Sequence, residues 1–343
     1  MSYLSDRAPS AMAREIVEAP AAVRLFLDDA NTIDAIAAEL NKRPPALAIV
    51  CGRGSSGHAG VFLRYLIETR LNIPVSAAAP SIATSFARTL SLPNALFVVI
   101  TQSGRSPDLI EATRAARKGG ARTIAIVNDA KSPAAAECEF VLPIKAGPER
   151  SVAATKTVIG SMAAAALLTA ALADDMELRA AVQRLPDRLA AALRLDWDAL
   201  ALDLRNAPAA FVAARGLGLG TAREIALKMA EALRLPALAY SAAEFLHGPR
   251  AAVTRATPVL ALRLDDETSA AVDRLVLDLK QAADPVYVAG GPSSQLAWIG
   301  DDHPATDAIT LLAPAYRMIE RAAAMRGIDP DRPAHLQKIT ETI

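Results

Sequence analysis

The sequence contains few of the residues that build metal centres, disulfide frameworks or polybasic surfaces. Its 343 residues include only two cysteines, Cys51 and Cys138, which give neither a metal-type spacing nor a disulfide scaffold, so we expect a reducing cytoplasm. Lysine plus arginine equals aspartate plus glutamate at 37 each, so no overall charge attracts nucleic acid or an anionic membrane. The expected partners are a small molecule and a second copy of the chain.

Long hydrophobic runs are also missing. Charged residues or glycines interrupt every apolar stretch before it could span a membrane, and the first residues lack the layout of a signal peptide. The most apolar stretch, residues 162–173, stops at Asp174 and Asp175 and has the length of a buried helix. With 52% hydrophobic and 22% charged residues, the composition is typical of a folded protein with two domains or large lobes.

Apolar runs alternate with helical patterns along most of the chain, which predicts an α/β fold with parallel sheets covered by helices on both faces. Helices over 10–29, broken or kinked near Pro20, and 32–40 come first. The expected strands are residues 46–51, 74–78, 95–101, 123–127 and 140–144, then a strand that begins the stretch 210–220, followed by 258–262, 285–289 and 308–311. A helix from about Val152 and helical segments over 176–204 separate two similar halves, so we expect an arm over 1–30 and two domains over 31–190 and 198–343.

The first strand ends in a glycine turn, where Gly52, Gly54 and Gly57 form a G-x-G-x-x-G pattern. A dinucleotide site would need an acidic residue about 20 positions later, and the second strand ends without one. The turn can instead place backbone N–H groups and the hydroxyls of Ser55 and Ser56 around a phosphate. An ordinary helix cap explains this turn equally well.

A second hydroxyl-rich turn follows the third predicted strand. It contains Thr101, Gln102 and Ser103, and Ser106 and Pro107 suit the start of the next helix. Since loops after parallel strands share one edge of a sheet, both turns can converge on one dianion. Arg53 and Arg105 could add charge, although arginines in exposed turns are usually solvated.

The second half holds candidate acid–base groups. Glu224, Lys228 and Glu231 fall on one face of a predicted helix that follows Gly216-Leu-Gly-Leu-Gly220, at the ligand-binding edge of the second sheet. An exposed row of salt bridges would show the same spacing. His247 lies in a Gly-Pro turn and could move protons near neutral pH or simply cap the turn, whereas His58, His303 and His335 show no comparable setting.

Taken together, these motifs resemble the sugar isomerase (SIS) family, and in particular the isomerase part of glucosamine-6-phosphate synthase and isomerase-type glucosamine-6-phosphate deaminases. The likeness covers nearly the whole chain and includes the helix that contains residues 12–20. Its motifs, in order, are residues 51–56, 101–108, 149–156, 224–231, 245–249 and 331–338. The implied architecture is a double SIS fold of two flavodoxin-like lobes.

The resemblance also implies roles for residues. Glu231 would move a proton between C1 and C2 of the sugar, His247 would assist ring opening, Lys338 would hold the open-chain sugar, and Lys228 would help near the site. The expected substrate- and phosphate-binding residues are Gly52, Ser55, Ser56, Thr101, Gln102, Ser103, Ser106, Val152 and Glu224.

Such enzymes need neither metal nor other cofactor, and their histidine reaches across from the partner subunit of a homodimer. The chain starts directly with the helical arm, so we expect no glutaminase domain. This favours release of ammonia from glucosamine 6-phosphate over glutamine-dependent synthesis. Arg53 and Arg105 depart from the synthase pattern and leave the substrate open. The alternatives are a non-amino phosphosugar isomerase, a sugar–amine deglycase and a non-catalytic sugar-phosphate sensor, which should lack the acid–base residues.

Overall fold

The computed structural model describes residues 9–338, which begin with a helical arm. The arm consists of α1 (Ala11–Leu27) and α2 (Ala30–Asn41). Ser10 begins α1 by accepting a hydrogen bond from a backbone N–H of the first turn over 2.9 Å. The predicted break near Pro20 is wrong. The helix continues through this proline, because its apolar face is buried and this packing outweighs the hydrogen bond that proline removes.

The first half of the fold contains a five-stranded parallel sheet, as the alternation of apolar runs predicts. Its elements are β1 (Leu47–Cys51), α3 (Gly54–Arg70), β2 (Val75–Ala77), α4 (Ser81–Thr84), β3 (Ala95–Thr101), α5 (Pro107–Lys118), β4 (Arg122–Val127), α6 (Pro133–Ala136) and β5 (Phe140–Pro143). The strand order is β2-β1-β3-β4-β5. β3 is buried along its whole length, which explains its unbroken apolar sequence.

A long alanine-rich helix closes this half. α7 (Lys156–Ala173) begins four residues later than the predicted start near Val152. By length and composition alone it is the one helix within residues 9–338 that could cross a membrane, but 83% of it is buried inside the protein. It is therefore a core helix, as its length predicts. α8 (Met176–Ala192) and α9 (Asp198–Leu204) then lead to the second half.

The second half repeats the arrangement with a smaller parallel sheet. Its elements are β6 (Ala210–Ala214), α10 (Gly218–Leu233), β7 (Ala237–Ser241), α11 (Ala242–Leu246), β8 (Val259–Leu262), α12 (Ser269–Gln281), β9 (Val286–Ala289), α13 (Pro304–Thr310) and α14 (Leu312–Met325). The strand order β7-β6-β8-β9 matches β2-β1-β3-β4 of the first sheet. The predicted fold class, two similar lobes that each carry a parallel sheet, is confirmed.

Two elements of the second half differ from the prediction. β7 is not predicted from the sequence, because it is an edge strand in which Leu238 is exposed and no buried apolar run forms. The predicted strand over 308–311 is wrong, because these residues lie in α13 and the turn that follows it. Pro304 occupies the first turn of α13, and the His303 side chain accepts a hydrogen bond from a backbone N–H there. A short apolar run that is buried on every side fits a helix as well as a strand.

Candidate active site

The first glycine turn joins β1 to α3 and is built for close backbone contact. A Cβ added at Gly52 would lie 2.9 Å from the carbonyl carbon of Ser56, so only glycine fits at this position. Ser55 and Ser56 lie in the first turn of α3 and are half-buried. Their hydroxyls therefore lie at a helix N-terminus, which favours bound anions.

The second turn, residues 101–106, joins β3 to α5 and is equally tight. Gly104 has φ +63°, and a Cβ there would lie 2.0 Å from the Ser132 hydroxyl. Thr101 Oγ1 accepts a hydrogen bond from the Gly104 N–H over 3.2 Å. Ser106 occupies the N-cap of α5 as predicted, but its side chain makes no capping hydrogen bond. Its hydroxyl is therefore available to a ligand.

The two turns lie on the same edge of the sheet, because β1 and β3 are parallel neighbours. An ion pair connects them: Arg53 donates to the buried carboxylate of Asp108, with nitrogen–oxygen distances of 2.8 and 2.9 Å. Arg105 is paired with Asp129 at 3.2 Å. Both arginines therefore have acidic partners, and the convergence that the sequence suggests is present in the fold.

The predicted row on α10 lies in the interior of the protein and not on its surface. Glu224 is fully buried, Lys228 keeps only 1% of its side chain exposed, and Glu231 keeps 21%. Lys228 Nζ lies 2.5 Å from Glu231 Oε2 and 3.3 Å from Glu224 Oε1. It also donates to the Ser55 hydroxyl over 2.8 Å. The row therefore contacts the first glycine turn directly.

Ion pairing within the row favours the charged forms of Glu224 and Lys228. Burial opposes ionisation of Glu224, but Lys228 and the hydrogen bond from His58 outweigh it and hold the pKa of this carboxyl below its usual range. Burial likewise opposes the charge on Lys228, yet Glu224 and Glu231 raise the pKa of its ammonium group above the ordinary value. One buried cation thus stands between two carboxylates.

Two further residues complete this network, and neither is predicted from the sequence. His58 Nδ1 lies 3.1 Å from Glu224 Oε2, so the expectation that His58 has no special setting is wrong. Tyr316, on α14, donates to Glu224 Oε1 over 3.1 Å, and burial together with the nearby Glu224 raises the pKa of its phenol well above the usual value. The position of His58, one helical turn after Ser55, was an available signal. Tyr316 gave none, because only the fold brings it to α10.

A glycine allows the two halves to approach this closely. Gly220, in the first turn of α10, faces α3, and a Cβ there would lie 2.8 Å from the His58 carbonyl oxygen and 3.0 Å from Phe62. The glycine-rich stretch that follows β6 therefore serves helix packing at this position. Glu224, one turn later on α10, is brought within hydrogen-bonding distance of α3 as a result.

A second polar cluster contains Val152 and Lys338. The loop over 149–155 carries the buried Glu149, whose carboxylate accepts hydrogen bonds from the backbone of Thr155 and from Thr157. Lys338 Nζ lies 3.3 Å from Glu149 Oε2 and donates to the Ser151 carbonyl over 2.6 Å. Val152 is half-buried in the same loop. Within residues 9–338, no hydrogen bond or ion pair joins this cluster to the α10 row, although the charge of Glu149 is among the causes that raise the pKa of the Tyr316 phenol.

His247 stands apart from both clusters. It is exposed, it follows α11, and its side chain makes no hydrogen bond within residues 9–338. In a single chain the structure therefore does not bring His247 to Glu231. In the part of the chain that the structure describes, no group of three or more His, Cys, Asp or Glu side chains could hold a metal ion.

The comparisons with known proteins agree with this architecture. A family model for the SIS domain matches residues 47–171 and, a second time, residues 203–303, which together are more than half of the chain. The chain belongs to the SIS domain family. The two matched segments contain both glycine-rich turns and the α10 row of this SIS chain, and the resemblance inferred from its motifs is confirmed.

Curated relatives of the SIS chain include longer enzymes. A glutamine–fructose-6-phosphate aminotransferase (isomerizing) of Methanothermobacter thermautotrophicus is 32% identical over an alignment of 345 positions, gaps included, which covers 95% of this chain and 56% of that protein. The protein of the same name from Thermotoga maritima is 32% identical, and the match covers 88% of this chain and 52% of that protein. The chain thus spans about half the length of these relatives.

Solved structures show the same fold. A Silicibacter pomeroyi protein assigned as a phosphosugar isomerase is 38% identical, with a TM-score of 0.91 over 94% of this SIS chain and 100% of that chain. The C-terminal domain of a Francisella tularensis glucosamine-fructose-6-phosphate aminotransferase is 25% identical, with a TM-score of 0.82 over 96% of this chain and 99% of that one. A Thermotoga maritima glucosamine-6-phosphate deaminase, 22% identical with a TM-score of 0.79 over 97% and 100% of the two chains, shares the fold.

Proposed function

We propose that this protein is a phosphosugar aldose/ketose isomerase that releases ammonia from glucosamine 6-phosphate and forms fructose 6-phosphate. One contact carries the proposal. The Ser55 hydroxyl of the first glycine turn lies 2.8 Å from Lys228 Nζ, and the same ammonium group holds Glu231 at 2.5 Å. A turn that can bind an anion therefore lies next to a carboxylate that can transfer a proton. A phosphorylated sugar that loses a proton at the end opposite its phosphate requires both groups.

The phosphate would bind between the two turns of the first half. Thr101, Gln102, Ser103 and Ser106 would supply polar groups from the second turn, and Gly52, Ser55 and Ser56 would do so from the first. The N-termini of α3 and α5 add favourable electrostatics for a dianion. Each turn carries an arginine that is already paired with an aspartate, and the Ser55 hydroxyl already donates to Glu224 over 3.1 Å. The backbone N–H groups and the other hydroxyls of the turns are therefore the main donors left to hold the phosphate.

Glu231 is the member of the row that reaches solvent, and we assign the proton transfer to it. It would take the proton from C2 of the open-chain amino aldose and return it to C1, while O1 gains a proton and the amine nitrogen loses one, which gives a ketose imine. Water then adds to the imine carbon, the C–N bond breaks, and ammonia leaves. A positioned general acid–base group contributes about 10²–10⁴-fold to such a step.

Three further residues have proposed roles. Lys228 would stabilise negative charge near the reacting carbons, Lys338 would hold the open-chain sugar, and His247 would assist ring opening from the partner subunit of a homodimer. The last assignment fits an exposed histidine whose side chain makes no hydrogen bond within residues 9–338. Glu224 would bind the substrate or support Lys228. We place the reaction in the cytoplasm, since Cys51 and Cys138 are both free thiols.

The test is to incubate the protein with glucosamine 6-phosphate and to measure ammonia and fructose 6-phosphate. The wild type should release both in equal amounts, and Glu231→Gln should bind the sugar phosphate while kcat falls by about 10²–10⁴-fold. Glu177→Gln, which changes an exposed carboxylate on α8, is the matched control and should leave kcat unchanged.

The products decide between the alternatives. Ketose formation from a non-amino aldose phosphate, with no ammonia from glucosamine 6-phosphate, would replace the proposal with a plain isomerase. Release of a larger amine from a sugar–amine adduct would indicate a deglycase. Tight binding of sugar phosphate without turnover of any of these compounds would indicate a sensor.

A further inference from the structure

His58 joins two parts of the site that belong to different halves of the chain. It lies on α3, three residues after Ser55, and so moves with the turn that would bind phosphate. Its Nδ1 is 3.1 Å from Glu224 Oε2 on α10, and 22% of its side chain is exposed. A shift of the first turn on phosphate binding would therefore reach the buried carboxylate through this side chain.

The two oxygens of Glu224 have unequal support. Oε1 accepts from Ser55 and Tyr316, each over 3.1 Å, and also lies 3.3 Å from Lys228 Nζ. Oε2 has His58 as its single hydrogen-bond partner among residues 9–338. Without His58 this buried oxygen would lack a donor, which is costly, and the carboxylate would turn to find one.

Lys228 is a donor near Glu224 that it shares with another carboxylate, Glu231. Its ammonium group now lies closer to Glu231, at 2.5 Å, than to Glu224, at 3.3 Å. A Glu224 carboxylate that has lost His58 would compete more strongly for this ammonium group and pull it from Glu231. His58 thus controls how Lys228 is shared between the two carboxylates.

We infer that His58 is a positioning residue that couples the phosphate-binding turn to Glu231 by holding Glu224 in place. The inference rests on the proposed function, since it assigns the turn to phosphate and Glu231 to proton transfer. The imidazole acts through Glu224 and Lys228. Its loss should therefore slow the chemical step much more than it weakens phosphate binding.

The kinetic test compares His58→Leu with His58→Asn, because the amide nitrogen of asparagine can take nearly the place of Nδ1. His58→Leu should lower kcat on glucosamine 6-phosphate by about 10-fold to 100-fold, as small misplacements of catalytic groups do. KM and the Kd for inorganic phosphate should stay close to the wild-type values, and His58→Asn should recover most of kcat. Arg64→Ala, on the exposed side of α3, is the control and should change none of them.

Two kinetic outcomes would overturn the inference. One is an unchanged kcat in His58→Leu. The other is an equal loss of kcat, phosphate affinity and thermal stability that His58→Asn does not repair, because this would show a purely structural role. Either result leaves the proposed function intact, since the wild type would still release ammonia.

A measurement that needs no catalytic turnover tests the inference even if the wild type is inactive. The Lys228 ammonium group is buried, so its ¹⁵N resonance can be followed in protein labelled at lysine. We expect this resonance to shift in His58→Leu and to return towards the wild-type position in His58→Asn. A resonance that is identical in all three proteins would overturn the coupling, whatever the substrate is.

Discussion

At the scale of single residues, the site depends on one buried cation between two carboxylates. Lys228 compensates both Glu224 and Glu231, and its removal would leave a fully buried carboxylate with too few partners. We predict that Lys228→Met lowers the free energy of unfolding by about 3–5 kcal/mol, the usual loss when one partner of a buried ion pair is removed. Chemical denaturation followed by circular dichroism measures this loss.

A second substitution, at Glu224, distinguishes the effect of the uncompensated charge on stability from the effect of lost packing. In the double variant Lys228→Met/Glu224→Gln, the amide can still accept hydrogen bonds from Ser55 and Tyr316 but carries no charge. Stability should therefore recover by more than half relative to Lys228→Met alone, while activity should stay low in both. If the double variant is less stable than the single one, uncompensated charge is not the cause of the loss.

The sequence shows which residues form this row but not what surrounds it. The spacing of Glu224, Lys228 and Glu231 places them on one helix face, and that much is predictable. Whether such a face meets water or the interior depends on what packs against the helix, and here it is α3. The position of His58, one helical turn after Ser55, indicates that it lies near the first turn, but its partner Glu224, 166 positions away in sequence, is known only from the fold.

At the scale of elements, the contact between α3 and α10 sets the distance between the first glycine turn and the charged row on α10. Gly220 makes this contact possible, because a Cβ would meet the His58 carbonyl oxygen at 2.8 Å. We predict that Gly220→Ala pushes the two helices apart, lowers the free energy of unfolding by about 1–3 kcal/mol and reduces kcat by misplacing Glu224. Thermal unfolding and ammonia release measure the two effects.

The matched control for this prediction is Gly160→Ala on α7. A Cβ there would lie 3.5 Å from Ile144, an ordinary contact, and alanine is the better helix former. Gly160→Ala should therefore be neutral or slightly stabilising. Equal behaviour of the two variants would show that the close approach at Gly220 is not needed.

Elements that are buried on both faces can be predicted from the sequence. Elements whose conformation depends on the elements packed around them cannot. β3 is apolar from Ala95 to Ile100 and β4 from Ile124 to Val127, because helices cover both sides of the sheet. β7 has one partner strand and an exposed Leu238, so its sequence lacks this signal. The apolar run in α13 carries a strand-like sequence, and only its proline start and its surroundings make it helical.

At the scale of the whole molecule, two copies of one topology have taken on different chemistry. The first copy kept the hydroxyl-rich turns, and the second placed a buried charged row on the helix that corresponds to α3. A site that needs both functions can therefore form only where the copies pack together. Lys338 is paired with Glu149, and His247 is exposed, so within residues 9–338 neither forms a hydrogen bond or ion pair with Glu224, Lys228 or Glu231.

The proposed role of His247 across a homodimer interface can be tested without a structure of the dimer. If His247 serves the site of its partner, then mixing Glu231→Gln protein with His247→Ala protein should restore activity. In a mixed dimer, one site receives both substitutions and the other receives neither. With random exchange, about half of the dimers are mixed, so the mixture should reach about a quarter of the wild-type rate. Ammonia release after unfolding and joint refolding measures this.

The control mixture uses two residues that belong to the same site of one chain. Lys228 and Glu231 touch within one chain, so mixing Glu231→Gln with Lys228→Met leaves one substitution in every site of a mixed dimer, and no activity should return. If this mixture stays inactive while the His247 mixture recovers, His247 acts across the interface. If neither mixture recovers although mixed dimers form, His247 and Glu231 serve the same chain, and the exposed histidine must then reach its own Glu231 through a movement of the segment after α11.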